Sequence, residues 1–285
     1  MRERLSDFVQ HGDLVRDGLF AETGNADSGS AGTLVYCDTV FHLEVAIENA
    51  NVTCIITTPA LAQRVVEKGL VVAANPRTAF YRLHQRLLTR ARADTAGIHP
   101  SAIVSPEARV GRGVTIGERA VIMGGVEIAD GCYVDAGAIL GAEGLLYYQD
   151  SGANRRVHHR GEVRIGKQVC ILANAVIVRG IHPGLPTIIE DYAMVGVAST
   201  IGHESSLGTN AVVAGNCVIA RRARIGDGAW IGTGSVVREY VRVGSGASVK
   251  AGSVVIEDVP DGAEVSGNFA VAHRRRLMQF QRDRK

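Results

Sequence analysis

An aliphatic residue recurs at every sixth position through most of this chain. Ile98, Val104, Val110, Ile116, Ile122, Ile128, Val134 and Leu140 keep that spacing. After a break it resumes at Ile165, Ile171 and Ile177, passes Pro183 in phase, and runs through Ile189, Val195, Ile201, Leu207, Val213, Ile219, Ile225, Ile231, Val237, Val243, Val249 and Val255. Two positions earlier stand small or β-branched residues, among them Ala102, Ala108, Val114, Ala120, Cys132, Ala193, Ser199, Ala211, Cys217, Ala229 and Ser235. A period of six is neither that of an amphipathic helix nor the alternation of a half-buried strand. It predicts a coil of triangular cross-section, in which each hexad supplies one short strand and one corner and three hexads make an 18-residue turn. The aliphatic side chain points inward and the small residue fits the crowded corner. Stacked at the strand spacing of about 4.8 Å, about eight coils give a prism roughly 38 Å long. The glycines after the aliphatic position, Gly111, Gly117, Gly141, Gly166, Gly226 and Gly244, are expected to turn the chain through backbone angles that other residues avoid.

Composition fits such a scaffold and excludes several alternatives. Thirty-four Gly among 285 residues exceed the usual ~7%, while aromatic residues make up only 5%. A formal net charge of +2 argues against a strongly basic nucleic-acid binder. No charge-free apolar stretch reaches a membrane-spanning ~18 residues, and Met1-Arg2-Glu3-Arg4 is not followed by an apolar signal core, so a cytoplasmic location is expected. The five cysteines form no CxxC pair. Cys132 and Cys217 occupy the small-residue slot and are expected to pack rather than react.

Residues 1–94 lack the period and are expected to form a small α/β domain. Strands are predicted at Thr33–Cys37, Val52–Thr57 and Leu70–Ala74, and helices at Asp38–Asn49 and Pro59–Lys68. A longer helix follows Asn75-Pro76, with Phe80, Leu83, Leu87 and Leu88 on one apolar face. Residues 95–260 form the predicted prism and 261–285 a tail. In that tail Asn268 to Lys285 reads as a helix with Arg274, Arg275, Arg276, Arg282, Arg284 and Lys285, either solvated or facing an acidic carrier protein or a phosphate. The break at 141–164 carries Gly144-Leu145-Leu146-Tyr147-Tyr148, then Arg155, Arg156, His158 and His159. So long an excursion is usually functional or disordered. A solvated loop is expected rather than a metal site, because nothing supplies a third ligand beside the two histidines.

The repeat over residues 98–260 resembles the hexapeptide-repeat, left-handed β-helix acyltransferases. The flanking sequence narrows the resemblance. Leu34-Val35-Tyr36, a helix, Cys54-Ile55-Ile56, the run from Val71 to Phe80, and Gly97-Ile98-His99-Pro100-Ser101-Ala102 are together similar to the UDP-3-O-acylglucosamine N-acyltransferase family of lipid A synthesis. The fold implied is mainly β: a left-handed parallel β-helix with a small N-terminal α/β domain and a short C-terminal helix. In that family the first domain holds uracil between aromatic side chains. Tyr36 matches one of them, and the second falls at Phe41 or His42; the alternative is that Tyr36 and Phe41 pack in the core. The excursion with Tyr147 and Tyr148 matches a loop placed before the family's acceptor site, and Arg179-Gly180 match a conserved-type pair there, although Val178 stands where the family has Asp. Gly196 and Val197 likewise replace an acidic residue and its neighbouring Asn.

Acyl transfer to an amine needs a base, a donor for the developing oxyanion and a groove for the thioester arm. Ile201-Gly202-His203-Glu204-Ser205-Ser206-Leu207-Gly208 matches the family's catalytic-histidine coil, and its His-Glu pair also resembles nucleotide-amino-sugar N-acetyltransferases of surface-glycan synthesis. The resemblance implies His203 as general base. One 18-residue coil on stands Arg221, whose backbone N–H is expected to meet the thioester oxygen where the family has glycine; a coil further, Tyr240 replaces a histidine near the donor arm. Glu204 either orients His203 or pairs with Arg222, one coil away. What the resemblance implies is an N-acyltransferase moving an acyl group from acyl carrier protein or acyl-CoA to the amine of a UDP-linked amino sugar, as a homotrimer with no bound cofactor and no metal. Two competing expectations are a non-catalytic scaffold or sugar-binding module, and a zinc hydratase for which His182 and His203 lack a third partner.

Overall fold

The computed structural model describes residues 2–9, 13–91, 97–267 and 282. The predicted tail helix from Asn268 lies outside the described residues. Contacts divide the chain into two units, Met1–Thr95 and Ala96–Lys285.

The first unit is an α/β domain built on a five-stranded sheet. Its order is Leu14–Arg16, Gly69–Val72, Val52–Thr57, Thr33–Cys37, Glu22–Thr23, with only the first pairing antiparallel. The central strands are apolar at consecutive positions because both faces are covered. Leu34, Cys54 and Ile56 pack with Phe80 and Leu83 of the helix Pro76–Ala91 on one side; Val35, Cys37 and Ile55 pack with Leu43 and Ala46 of the helix Val40–Glu48 on the other. Thr39 caps that second helix by accepting from the His42 amide at 3.2 Å.

Two local expectations are corrected, and one group of strands is additional to them. The predicted helix from Pro59 to Lys68 is a single 3-10 turn, Ala62–Arg64, because the Arg16 guanidinium takes the Val65 and Lys68 carbonyls at 3.2 and 2.9 Å and Lys68 reaches the Ala46, Asn49 and Val52 carbonyls. Leu88 is exposed, lying off the face that Phe80, Leu83 and Leu87 present to the sheet. The strands between Leu14 and Thr23, only two or three residues each, carry no strong pattern and were not expected.

The second unit is a parallel β-helix. Its strands form three parallel sheets: one through Val104, Ile122, Leu140, Ile177, Ile201, Ile219, Val237 and Val255; one through Val110, Ile128, Ile165, Ile189, Leu207, Ile225 and Val243; one through Ile116, Val134, Ile171, Val195, Val213, Ile231, Val249 and Val265. These aliphatic side chains form one continuous core, each fully buried one contributing about 1.5–3 kcal/mol. The last strand, Glu264–Val265, extends the stack past residue 260.

The sequence phase and the coil count part company at two places. Leu140 faces Ile177, 37 residues on instead of 18, so the excursion adds 19 residues to its coil. Ile177 then faces Ile201, 24 residues on, so the hexad around Pro183 is looped out even though the period of six survives it. The excursion itself is an ordered antiparallel hairpin, Tyr147–Asp150 with Ala153–Arg156, rather than the plain loop expected.

The glycines after the aliphatic position also act differently from expectation. Of the six, only Gly141 has positive φ. A Cβ on Gly111, Gly117, Gly166, Gly226 or Gly244 would approach an atom of the next coil to 2.4–2.8 Å, so these glycines permit close stacking. The left-handed conformation falls two residues later, at Gly113 or Gly228, and equally at Asn210, Asn216, Arg222 and Glu204.

Candidate active site

The candidate site residues of the β-helix, Tyr147, Tyr148, Arg179, His203, Glu204, Arg221 and Tyr240, lie along one edge, where the chain leaves the sheet through Leu140, Ile177, Ile201, Ile219 and Val237 and turns toward the sheet through Ile165, Ile189, Leu207, Ile225 and Val243; Gly196 and Val197 lie at another corner, after Val195. Successive layers of that edge carry the 141–164 excursion, the extra residues around Pro183, then His203 and Glu204, then Arg221 and Arg222, then Tyr240. Equal coil length stacks them, since residues 18 apart occupy equivalent corners.

His203 is 7% exposed, and its Nδ1 is buried without a hydrogen-bond partner. Glu204 Oε2 lies 4.0 Å from that nitrogen. Burial pushes the His203 imidazole below its ordinary value; the Glu204 charge opposes this, and His159, Arg221 and Arg222 add to the lowering. The imidazole is thus held as free base near neutral pH. With a carboxylate facing Nδ1, the favoured neutral tautomer carries its proton there and leaves Nε2 as the acceptor.

Of the two roles open to Glu204, the structure shows the pairing with Arg222. Its carboxylate accepts hydrogen bonds from Arg222 Nε and, at 3.2 Å, from the Ile181 amide, while it faces His203 beyond hydrogen-bond range. Burial pushes the Glu204 carboxyl up, but the Arg222 hydrogen bond, the Ile181 amide and the nearby positive charges outweigh it and hold the group below the usual range. Its left-handed backbone (φ 59°) is unusual for a side-chain-bearing residue, and its amide is tied down by Thr187 Oγ1 at 2.8 Å.

One coil on, no acceptor among the described residues takes the Arg221 N–H. Arg221 is exposed, and its guanidinium lies over the Tyr240 ring at 5.3 Å, with that of Arg222 at 5.8 Å from the same ring. Arg179 turns away from His203: its guanidinium donates to the Gly124 carbonyl and packs by Gly125 and Gly141. Tyr147 and Tyr148 are both 54% exposed on the hairpin. Gly196 is another close-stacking glycine, where a Cβ would meet the Ala214 carbonyl carbon at 2.4 Å, so no acidic side chain fits there.

The sequence missed His159. Far from lying in a solvated loop, it is 3% exposed and meets His203 edge to face, with ring centroids 5.3 Å apart; His158, its neighbour, is exposed and pairs with Glu143. Gly144 and Val178 complete this wall. Nothing in the sequence signals which histidine of the pair turns inward, because the contact spans 44 residues. Among the described residues, no three His, Cys, Asp or Glu side chains are grouped to hold a metal ion.

In the first unit, Tyr36, Phe41 and His42 line one cavity of about 370 Å³ together with Gly24, Asn25, Ala26, Asp27 and Val45. Tyr36 is also packed on Phe80, with centroids 5.2 Å apart, so it serves the core on one side and the cavity on the other. Phe41 is 71% exposed, which excludes a core role for it.

Comparison with known proteins completes the description. The family description "Bacterial transferase hexapeptide (six repeats)" matches residues 107–142 and 222–257, and "Hexapeptide repeat of succinyl-transferase" matches 186–221. A solved structure of LpxA from Acinetobacter baumannii resembles the chain with a TM-score of 0.49 and 22% identity, over 67% of this chain and 78% of that one. UDP-3-O-acylglucosamine N-acyltransferase from Paracidovorax citrulli is 29% identical over 50% of this chain, and the chain spans about half (48%) of that relative's length. The protein of the same name from Delftia acidovorans is 30% identical over 237 residues, covering 75% of this chain and 70% of the relative. With that extent of shared sequence laid over a hexapeptide β-helix, the chain belongs to the UDP-3-O-acylglucosamine N-acyltransferase family.

Proposed function

We propose that this chain is an N-acyltransferase that moves an acyl group from a phosphopantetheine thioester to the amine of a UDP-linked amino sugar, with His203 as general base. The observation that carries the proposal is the buried imidazole of His203, faced by Glu204 and stacked one coil from the unbonded Arg221 N–H. In the step proposed, the sugar amine attacks the thioester carbonyl while His203 Nε2 takes the amine proton. The Arg221 N–H receives the oxyanion, and collapse of the adduct expels the thiolate, which leaves as thiol with the proton from His203. A base so placed contributes on the order of 10²- to 10⁴-fold, and an oxyanion donor about 10²- to 10³-fold.

The cavity of Tyr36, Phe41 and His42 supports a uridine site, since two aromatic walls suit a stacked base. An outward row of Ile103, Val218, Val236 and Val254 along one face, all exposed in the single chain, supports assembly into a homotrimer through that face. No helix among the described residues is long and apolar enough to cross a membrane. The thioester is a co-substrate, and whether it arrives on a carrier protein or on coenzyme A is decided by the assay below.

His203→Ala tests the reading. Intact-mass analysis of products from a pool of UDP-amino sugars, offered acyl-CoA and acyl carrier protein separately, should find one acylated sugar with the wild-type protein. It should find at least ~10²-fold less with the variant, at unchanged melting temperature and oligomeric state. Wild-type turnover in the variant would remove His203 as the base, and absence of any acylated sugar from the wild-type protein with either donor would return the prism to a scaffold or sugar-binding role.

A further inference from the structure

The return limb of the excursion brings a second imidazole against His203. The His159 and His203 rings meet at 84°, and both are more than nine-tenths buried. His159 Nδ1 lies between two backbone groups: protonated, it donates to the Arg179 carbonyl oxygen at 3.2 Å, and unprotonated, it accepts from the Gly144 amide at 3.4 Å. The same ring contacts the Gly144 backbone, where the excursion leaves the prism. Both limbs of the excursion are therefore fastened at the ring that covers His203. His159 Nε2, like His203 Nδ1, is buried without a partner. Native proteins leave few buried polar atoms in that state, and two touching rings that each carry one point to a functional arrangement beyond packing.

We propose that His159 is a positioning residue for His203: its ring, held at Nδ1 between the Arg179 carbonyl and the Gly144 amide, covers one face of the catalytic imidazole, fixes its orientation and keeps it dry. The proposal rests on His203 being the base, and it assigns the excursion a role in the reaction. The groups facing His203 are Glu204 on its own coil, His159 from the excursion, and Arg221 and Arg222 from the next coil. Of these only Glu204 favours the charged ring. Removing the His159 cover admits water to His203 and removes a neighbour that repels its charged form; both changes favour the imidazolium.

The test is titration of His203 followed by NMR in protein labelled at the imidazole carbons, with the signal assigned through His203→Ala. In His159→Ala the His203 midpoint should rise toward the ordinary histidine value, by about half to one pH unit, and the acid limb of kcat/KM should rise with it. His159→Phe keeps a ring over His203 and should leave the midpoint low, while loss of the hydrogen bonding at Nδ1 lowers kcat without changing KM for the thioester. An unmoved midpoint in His159→Ala, or an equal rise in His159→Phe, overturns the proposal. His159→Asn, which keeps a donor for the Arg179 carbonyl but has no ring, takes the place of the alanine variant if that one does not fold. The titration needs no turnover, so its failure is distinct from failure of the acyltransferase reading, which His203→Ala tests.

Discussion

Gly202→Ala probes the link between coil stacking and chemistry. A Cβ on Gly202 would lie 2.7 Å from the Arg221 nitrogen, 2.9 Å from the Ala220 carbonyl carbon and 2.9 Å from the Ile219 oxygen, all of them backbone of the next coil. Ordinary contact begins near 3.4 Å, so that coil must recede by roughly 0.7 Å at this corner. Overpacking of this kind costs about 1–3 kcal/mol. At about 2–4 °C per kcal/mol the melting temperature should fall by roughly 2–12 °C. The displaced atom is the nitrogen proposed to meet the oxyanion, and a misplacement near 1 Å costs on the order of 10²-fold in rate, so kcat should fall at least tenfold. Gly228→Ala is the control: φ is +63° with no atom within 4 Å of its Cβ, so about 1–2 kcal/mol is lost to the left-handed backbone without moving a neighbour. Melting curves and turnover, measured on both variants, decide the matter. Equal losses of activity in the two, or wild-type turnover in Gly202→Ala, would refute the stacking argument.

Other outcomes follow from the same geometry. Glu204→Gln keeps an acceptor for the Ile181 amide but removes the charge 4.0 Å from His203 Nδ1, so the His203 titration and the acid limb of kcat/KM should move to lower pH; movement to higher pH contradicts the charge assignment. Tyr36→Ala and Phe41→Ala should each weaken UDP binding, measured by calorimetry, by about 5- to 100-fold if their rings stack on the base, and an unchanged affinity moves the nucleotide elsewhere. Burial pushes all five thiols up, Cys37 to about 12 and Cys54 to about 11, and four are fully buried, so iodoacetamide at neutral pH should label half-buried Cys170 first; prior labelling of Cys132 or Cys217 would contradict their packing role. Metal analysis of the purified protein should find no stoichiometric zinc, and a zinc ion whose removal abolishes turnover would reopen the hydratase alternative.

The prism was legible because its cause is local: one inward aliphatic and one small corner residue per hexad need no distant partner to be recognised. For the same reason the 18-residue step correctly paired Glu204 with Arg222 and His203 with the Arg221 corner, both beyond the last insertion. It failed at Pro183, where a hexad in phase by sequence is absent from the stack by pairing, since periodicity cannot tell a third of a turn from a six-residue loop. His159 was out of reach because its burial is decided by Arg179, Gly144 and His203, all remote in sequence. The first unit divides likewise. The helix from Pro76 announced itself by cap and spacing, while the turn at Ala62–Arg64 depends on carbonyls taken by Arg16, some fifty residues away.

Both insertions emerge at the edge that carries His203, in the two coils that precede it, and the ladders on either side continue past them with one register shift, between Leu140 and Ala142. The remaining corners act as unbroken spine. A scaffold of this kind uncouples its mechanical frame from its recognition margin: segments can lengthen, shorten or be exchanged along that margin while the imidazole stays at a fixed rung. If the proposed function holds, the sugar accepted is set by a few projecting residues, and grafting a foreign hairpin over Tyr147–Arg156, which leaves Gly144 and His159 in place, should change selectivity without refolding the frame.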